Sequence, residues 1–304
     1  NTSPNPNCAM QASICIKGAN TWPGGLPDSN VHNWTAGYAK DNNILTLNST
    51  AGLSAGMMII LDQLNDTADT GGIFVNDVYG VGSIEGTSAG RRIGLGSSDG
   101  TRSQQELVKI TAINGNQITI SPGLHMPNWR ASQNPQVWWP DWTAQMVGIE
   151  DLTLSTNKNN GNHDSGGIEF QSAYNGWVKN VKSLWGYRNH VWMWQSARIE
   201  VRDSYFYGSS AAQSQSYGVE TYGASNGLVI NNIFDHVTVP IMTGNGIGNV
   251  FAYNFTKDFY YLNYDGYPSW LAGISLHHDA GTGMNLYEGN VVGGQLGTDL
   301  YHGA

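Results

Sequence analysis

Two glutamates, three large aromatic side chains and a histidine recur at matched places along this chain. They sit in segments that share one alternation: Gly167-Ile-Glu-Phe-Gln171, His190-Val-Trp-Met-Trp194, Gly218-Val-Glu-Thr-Tyr222, Pro240-Ile-Met-Thr-Gly244 and Gly273-Ile-Ser-Leu-His277. Aligned, the segments put Glu169, Trp192 and Glu220 in one column and Gln171, Trp194, Tyr222 and His277 in the next. Strand side chains alternate between faces, so both columns point away from the set Ile168/Phe170, Val191/Met193, Val219/Thr221, Ile241/Thr243 and Ile274/Leu276, which supplies a core. Coils stack ~4.8 Å apart, which puts the backbones of Glu169 and Glu220 roughly 9–10 Å apart. An inverting glycosidase holds its acid and base carboxyls about 6.5–9.5 Å apart, with room for a water between them. Trp192, Trp194 and Tyr222 offer flat faces of the kind that stack on sugar rings. The chemistry these residues could perform is hydrolysis of a glycosidic bond, with Glu169, Glu220 and His277 as catalytic candidates. Trp192, Trp194, Tyr222, Gln171, His190 and Arg188 are the candidate substrate contacts, Arg188 and His190 by adjacency to the first column. Solvated glutamates on a plain ladder, with aromatics stacking only on one another, would produce the same pattern.

The elements that must position these residues repeat. From residue 146 onward each apolar alternation is followed by an Asn or Asp before the next strand: Asp151, Asn180, Asp203, Asn232, Asn254 and Asn290, at steps of 29, 23, 29, 22 and 36 residues. Each step is one solenoid coil, with the surplus in loops. Asn and Asp suit the tight corners because they tolerate left-handed backbone and bond their own main chain. The expected fold is all-β, a right-handed parallel β-helix with an N-terminal β-rich elaboration. Residues 1–43, rich in Pro, Gly and Asn, are expected to cap the first coil. Residues 44–145 read as a β-rich insertion or first coils ending in a Trp-rich loop, with Asn114-Gly115 turning a hairpin between 107–111 and 117–120. Four tryptophans at 129, 138, 139 and 142 stand among three prolines, either packed as a cap or forming a sugar-binding wall. Residues 146–304 are the coils, expected to continue beyond 304 or to meet another chain, because a coil end is an open β-edge.

Composition narrows the function classes. Charged residues make up 12% of the 304, against 11 Trp and 15 Tyr, and the polar surface comes from Asn, Ser, Thr and Gly. That mixture suits extracellular sugar chemistry, and a secreted bacterial protein is the expectation. A net charge of −9 argues against nucleic acid, whose binding needs a basic stripe. No run approaches the ~18 apolar residues of a membrane helix. Cys8 and Cys15 are the two cysteines, and their spacing reads as a small disulfide loop in an oxidising compartment. No residue set demands a cofactor; His277-His278-Asp279 is one cluster without a second spaced ligand, and Ca2+ stays an open assignment.

Asn189-His-Val-Trp-Met-Trp194 resembles the strand that pectate lyases write as Val-Trp-Ile-Asp-His. Tyr217-Gly-Val-Glu220 through Asn231-Asn-Ile-Phe-Asp-His236 and Thr243-Gly244 is similar to their Asp-Gly, Asn-Asn-x-Phe, His and Gly stretch. Residues 146–300 therefore resemble the pectate-lyase-like right-handed parallel β-helix superfamily, in the manner of its secreted bacterial members. That superfamily includes lyases, hydrolases, esterases and phage tailspikes, so the likeness implies a fold more than a reaction. The pectate lyase residues themselves are missing: Thr238 stands where a Lys is expected two residues after the His, and no Arg follows Arg202. The polygalacturonase pattern of paired Asp, Gly-His-Gly and Arg-Ile-Lys is absent too. The expectation is a polysaccharide-cleaving enzyme, a glycoside hydrolase with paired carboxylates acting on a neutral or weakly charged glycan. The alternatives are a polysaccharide lyase using Arg188, and a non-catalytic β-helix adhesin or fibre subunit that assembles end to end.

Overall fold

The computed structural model describes residues 12–19, 30–64, 102, 104–156, 166–210, 215–262, 268–277 and 281–298. Among them the chain is a right-handed parallel β-helix of three long sheets, with an antiparallel barrel against one corner. The first sheet stacks Ile14–Lys17, Ile168–Gln171, Asn189–Trp194, Tyr217–Tyr222, Val239–Gly244, Ile274–His277 and Leu296–Thr298, in that order. The second runs from Thr153–Ser155 to Val291–Val292, and the third from Gly148–Glu150 to Leu286–Glu288. A ladder of single bridges, Tyr174 to Ala197 to Ser225 to Ile247 to Gly283, closes the corner between the first and third sheets.

The apolar alternation drives this winding. Ile168, Phe170, Val191, Met193, Val219 and Ile241 from the first sheet meet Phe206 and Phe234 from the second and Val178, Val201, Val229 and Phe251 from the third in one continuous interior. Burial of each such side chain contributes ~1.5–3 kcal/mol, gained only when neighbouring coils are in place.

Left-handed corners fall at Asp151, Asn180, Asp203, Asn231 and Tyr253, one position before the Asn232 and Asn254 expected from the repeat. Asn232, Asn254 and Asn290 do something different. Each side-chain oxygen accepts the backbone N–H of the coil before it, from Ser204, Asn232 and Asn254 at 3.1, 3.1 and 2.9 Å. The apparent single column of amides is thus two columns, because adjacent Asn residues serve the exposed turn and the buried ladder separately.

The N-terminal segment departs from a simple cap: Ile14–Lys17 is itself a rung of the first sheet, paired in parallel with Ile168–Gln171. Ile14 and Ile16 repeat the inward alternation of the later coils and pack on their interior. The chain then leaves the helix to form a closed six-stranded barrel from Val31–Ala36, Ile44–Leu47, Met58–Asp62, Gln105–Asn114, Gln117–Ser121 and Gln136–Trp138. The Asn114-Gly115 hairpin is one of its pairings. Leu45, Leu47, Ile59, Leu61, Val108, Ile110, Ile118, Ile120 and Val137 belong to its core, together with Trp129 and Trp139. Met58, Ile60, Leu107 and Trp138 pack against Tyr174 and Ala197 of the coils. Three of the four clustered tryptophans therefore form core or seam, and Trp142 is exposed.

Candidate functional site

The site is built on the outer side of the first sheet, and strand register decides its geometry. Glu169 pairs with Trp192 and Trp192 with Glu220; Gln171 pairs with Trp194 and Trp194 with Tyr222. The Glu169 column extends to Cys15 at one end and to Met242 and Ser275 at the other, and the second column to Lys17 and Gly244. The extension to Cys15 and Lys17 was invisible in the repeat because Ile14–Lys17 lies about 150 residues from its neighbouring rung, a separation with no local signature.

Trp192, Trp194 and Tyr222 form a cluster separate from the coil interior. The indoles lie 4.4 Å apart between centroids, tilted by 41°, and the Tyr222 ring stands edge-on to Trp194 at 6.2 Å. The surprise is burial. Glu169 is 0% exposed, Glu220 1%, Trp192 4%, Trp194 1% and Tyr222 8%. The face expected to meet solvent is enclosed, because direction away from the coil interior does not decide whether other parts of the chain lie over it.

A buried carboxylate needs compensating partners. Glu220 accepts a 2.6 Å hydrogen bond from Asn189 Nδ2, and its other oxygen lies 3.8 Å from Arg188 Nη2. Arg188 is about one-third exposed, with its guanidinium 5.6 Å from the centre of the Tyr217 ring. Asn189 was missed from sequence, where it reads as the unremarkable residue before a strand. Asn189 Oδ1 and the indole Nε1 of Trp192 are buried and have no hydrogen-bond partner.

His190 does not join this face. Its ring nitrogens lie 2.7 Å from Ser183 Oγ and 2.9 Å from the Gly208 carbonyl, and the ring packs at 5.6 Å against Phe206 of the coil interior. Alternation fails there because Asn189 and Trp192 both turn outward, leaving His190 and Val191 inward at the corner. Gly186 makes room, since a Cβ there would stand 3.1 Å from the imidazole. Burial lowers the His190 pKa to about 4, against the opposing effect of the hydrogen bond to Gly208. The imidazole is neutral near pH 7, enclosed and paired at both nitrogens, so it faces the coil interior and not the outer face on which the substrate contact was expected.

The side chain of His277, with His278, Asp279 and Cys8, lies outside the described residues, so neither the His cluster nor the Cys8–Cys15 pairing is described. Among the described residues no three His, Cys, Asp or Glu side chains converge as a metal site.

Two walls flank the face. On one side Leu107 N–H donates to Ser225 Oγ at 3.1 Å, Asn226 Nδ2 donates to the Leu107 carbonyl at 3.2 Å, and the His125 ring meets Asn226 Oδ1 at 2.7 Å, fixing the barrel to the corner. Beside this seam Glu106, also missed from sequence, is buried in the barrel. It accepts from the His125 backbone at 2.7 Å and from Trp129 Nε1 at 3.2 Å, and burial pushes its carboxyl upward. On the other side Leu271 follows the antiparallel pair Tyr260–Leu262 and Pro268–Trp270 and packs on Tyr217, Val239 and Met242.

Solved structures similar to this chain include three phage tailspikes. The tailspike protein gp49 from Pseudomonas phage LKA1 aligns at 11% identity and a TM-score of 0.46, over 80% of this chain and 40% of that one. The Gp54 tailspike of Acinetobacter baumannii bacteriophage AP22, solved in complex with A. baumannii capsular saccharide, aligns at 10% and 0.42 over 86% and 45%. The tailspike gp61 of Pseudomonas phage phi297 aligns at 11% and 0.41 over 86% and 46%. This chain spans less than half the length of each. These are likenesses of fold. No family profile matches the sequence, and no curated protein matches it.

Proposed function

We propose that this chain is a polysaccharide-active β-helix protein that acts outside the cell, takes a glycan against the outer face of its first sheet, and hydrolyses it with Glu169 and Glu220. The observation that carries the reading is a buried indole N–H without a partner, on Trp192, in register between two buried glutamates. Buried polar groups are almost always paired, and one left open between two carboxylates is accounted for by a ligand. Asn189 donates to one oxygen of Glu220 and Arg188 lies beside the other, which orients that carboxyl; Glu220 is assigned as the general base and Glu169 as the acid. The lyase alternative is less well supported, because its Arg188 cation is already beside Glu220 and over Tyr217.

Release of reducing ends from a polysaccharide panel tests this. Glu169→Gln and Glu220→Gln should each abolish it, whereas full activity in either variant removes that residue from the mechanism. Products absorbing in the ultraviolet as unsaturated uronates would turn the reading to elimination. A second reading is favoured by the near-complete burial of the face: the aromatic cluster is a second packed layer in a non-catalytic β-helix subunit. Unchanged folding with no glycan bound or cleaved by the wild-type chain would select it.

A further inference from the structure

Asn245 is fully buried, and neither its side-chain oxygen nor its amide nitrogen has a hydrogen-bond partner. The other buried asparagines of the coils are placed otherwise. Asn249 accepts from Gly227 N–H and donates to the Ala224 carbonyl, and Asn232 and Asn254 are bonded at both ends. A buried carboxamide with both functions open costs several kcal/mol on the order of two missing hydrogen bonds, so its exception to the rule calls for a partner.

Its position says which. Asn245 follows Gly244, the neighbour of Tyr222 in the second column, and has a left-handed φ of 48°. Two left-handed corner asparagines of this helix reach partners outside the coil interior: Asn226 bonds Leu107 of the barrel, and Asn231 bonds Asp203 on the surface. Asn245 itself stands at such a corner, one residue past Gly244 at the end of the second column. Gly244 supplies no side chain where Trp194 and Tyr222 supply rings, so that rung adds no ring to the column beside Asn245.

We infer that Asn245 reads an acetamido group, so that the glycan taken by this face carries N-acetylhexosamine. The inference rests on the reading of the face as a glycan site. An acetamido group offers one N–H and one carbonyl, the reciprocal of the donor and acceptor that Asn245 holds open. A hydroxyl in its place satisfies one of the two at a time. A uronate carboxylate presents no donor to Oδ1 and adds charge beside Glu220. A protonated amine satisfies Oδ1 and leaves Nδ2 facing a cation.

The test is calorimetric titration of the full chain with matched pairs of oligosaccharides that differ only by acetamido in place of hydroxyl, beginning with chitohexaose and cellohexaose. The acetamido member should bind at least roughly tenfold more tightly, since a site built around a polar pair rejects analogues lacking it. Asn245→Gly suits the left-handed φ and should erase the preference, bringing the acetamido member's affinity down to that of the hydroxyl member. Its melting temperature should not fall, because the side chain makes no hydrogen bond to lose. Equal binding within every pair overturns the inference and leaves the glycan site standing. A sharp loss of melting temperature in Asn245→Gly assigns the residue a structural role and also overturns it. Binding to no member of any pair removes the glycan site, and this inference with it.

Discussion

Two faces of the same solenoid carry acids and amides in stacked columns, and their fates are opposite. At the corner between the second and third sheets Asp151, Asn180, Asp203 and Asn231 line a shallow open groove and satisfy one another. Asn180 donates to Asp151 at 2.7 Å, Asn231 to Asp203 at 2.7 Å, and Arg202 to Asp203 at 2.8 Å. The Asn231 amide, then Arg202, hold the Asp203 carboxyl below its usual range. On the outer side of the first sheet the acids are enclosed with aromatics, and polar atoms of Trp192, Asn189 and Asn245 stay unpaired. A column of carboxylates is therefore no sign of chemistry by itself. Where neighbours and solvent saturate it, it is a turn device; where it is enclosed with open donors and acceptors, it is the place for which a ligand is proposed.

The largest expected effect separates the two faces by activity. Glu220→Gln should slow hydrolysis by roughly 10²- to 10⁴-fold, the scale of one general acid–base group, while Asp203→Asn leaves the rate unchanged. Initial rates on the cleaved polysaccharide check both, and equal losses would erase the distinction. Next comes packing. Phe170→Ala should destabilise by ~3–5 kcal/mol, and Trp194→Ala, expected from sequence to cost less as an outward residue, should match it because Trp194 is 1% exposed. Phe255→Ala, on the exposed outer face of the second sheet, should cost no more than about 1 kcal/mol. Denaturant melts of the three variants measure the series, and a mild Trp194→Ala would mean that the first sheet's outer face opens readily.

His190 supplies a pH-dependent effect inside the coil. Its folded pKa of about 4 lies below the ordinary 6.5, so the unfolded chain takes up a proton that the folded chain refuses. Its contribution is complete above pH 6.5 and declines as pH falls toward 4, by ~3 kcal/mol in all. Melts from pH 7.5 to 4 should show this slope, and His190→Gln should flatten it. The smallest effect belongs to the open corner: Asn231→Ala should cost below ~1 kcal/mol at neutral pH, since its partner is solvated. Asp203, with its depressed pKa, contributes above its unfolded pKa and loses that contribution as pH falls through the folded one, a dependence that Asn231→Ala should weaken.

The coil register was legible because it is written locally. Ile168, Phe170, Val191, Met193, Val219 and Ile241 alternate with Glu169, Trp192 and Glu220 within single strands, and stacking preserves that alternation from coil to coil. The barrel's residues 44–125 read as β-rich, but its pairing was legible only at the Asn114-Gly115 hairpin, since pairings such as Val31–Ala36 with Gln136–Trp138 join segments about 100 residues apart. The column of the candidate site was legible in its register, and its ends were not. Asn189 and His190 exchange roles where the strand meets a corner, and Asn245 looks like any other turn asparagine until its neighbours are known to leave it unpaired.

Residue type and two-residue alternation by themselves determined a parallel solenoid and the side of the first sheet on which Glu169, Trp192, Glu220, Trp194 and Tyr222 project, because the pleat repeats every two residues whatever surrounds it. Whether that side meets water was decided only by the tertiary structure. Exposure is a property of the segments that come to lie over a face, and these arrive from parts of the chain that share no local pattern with it.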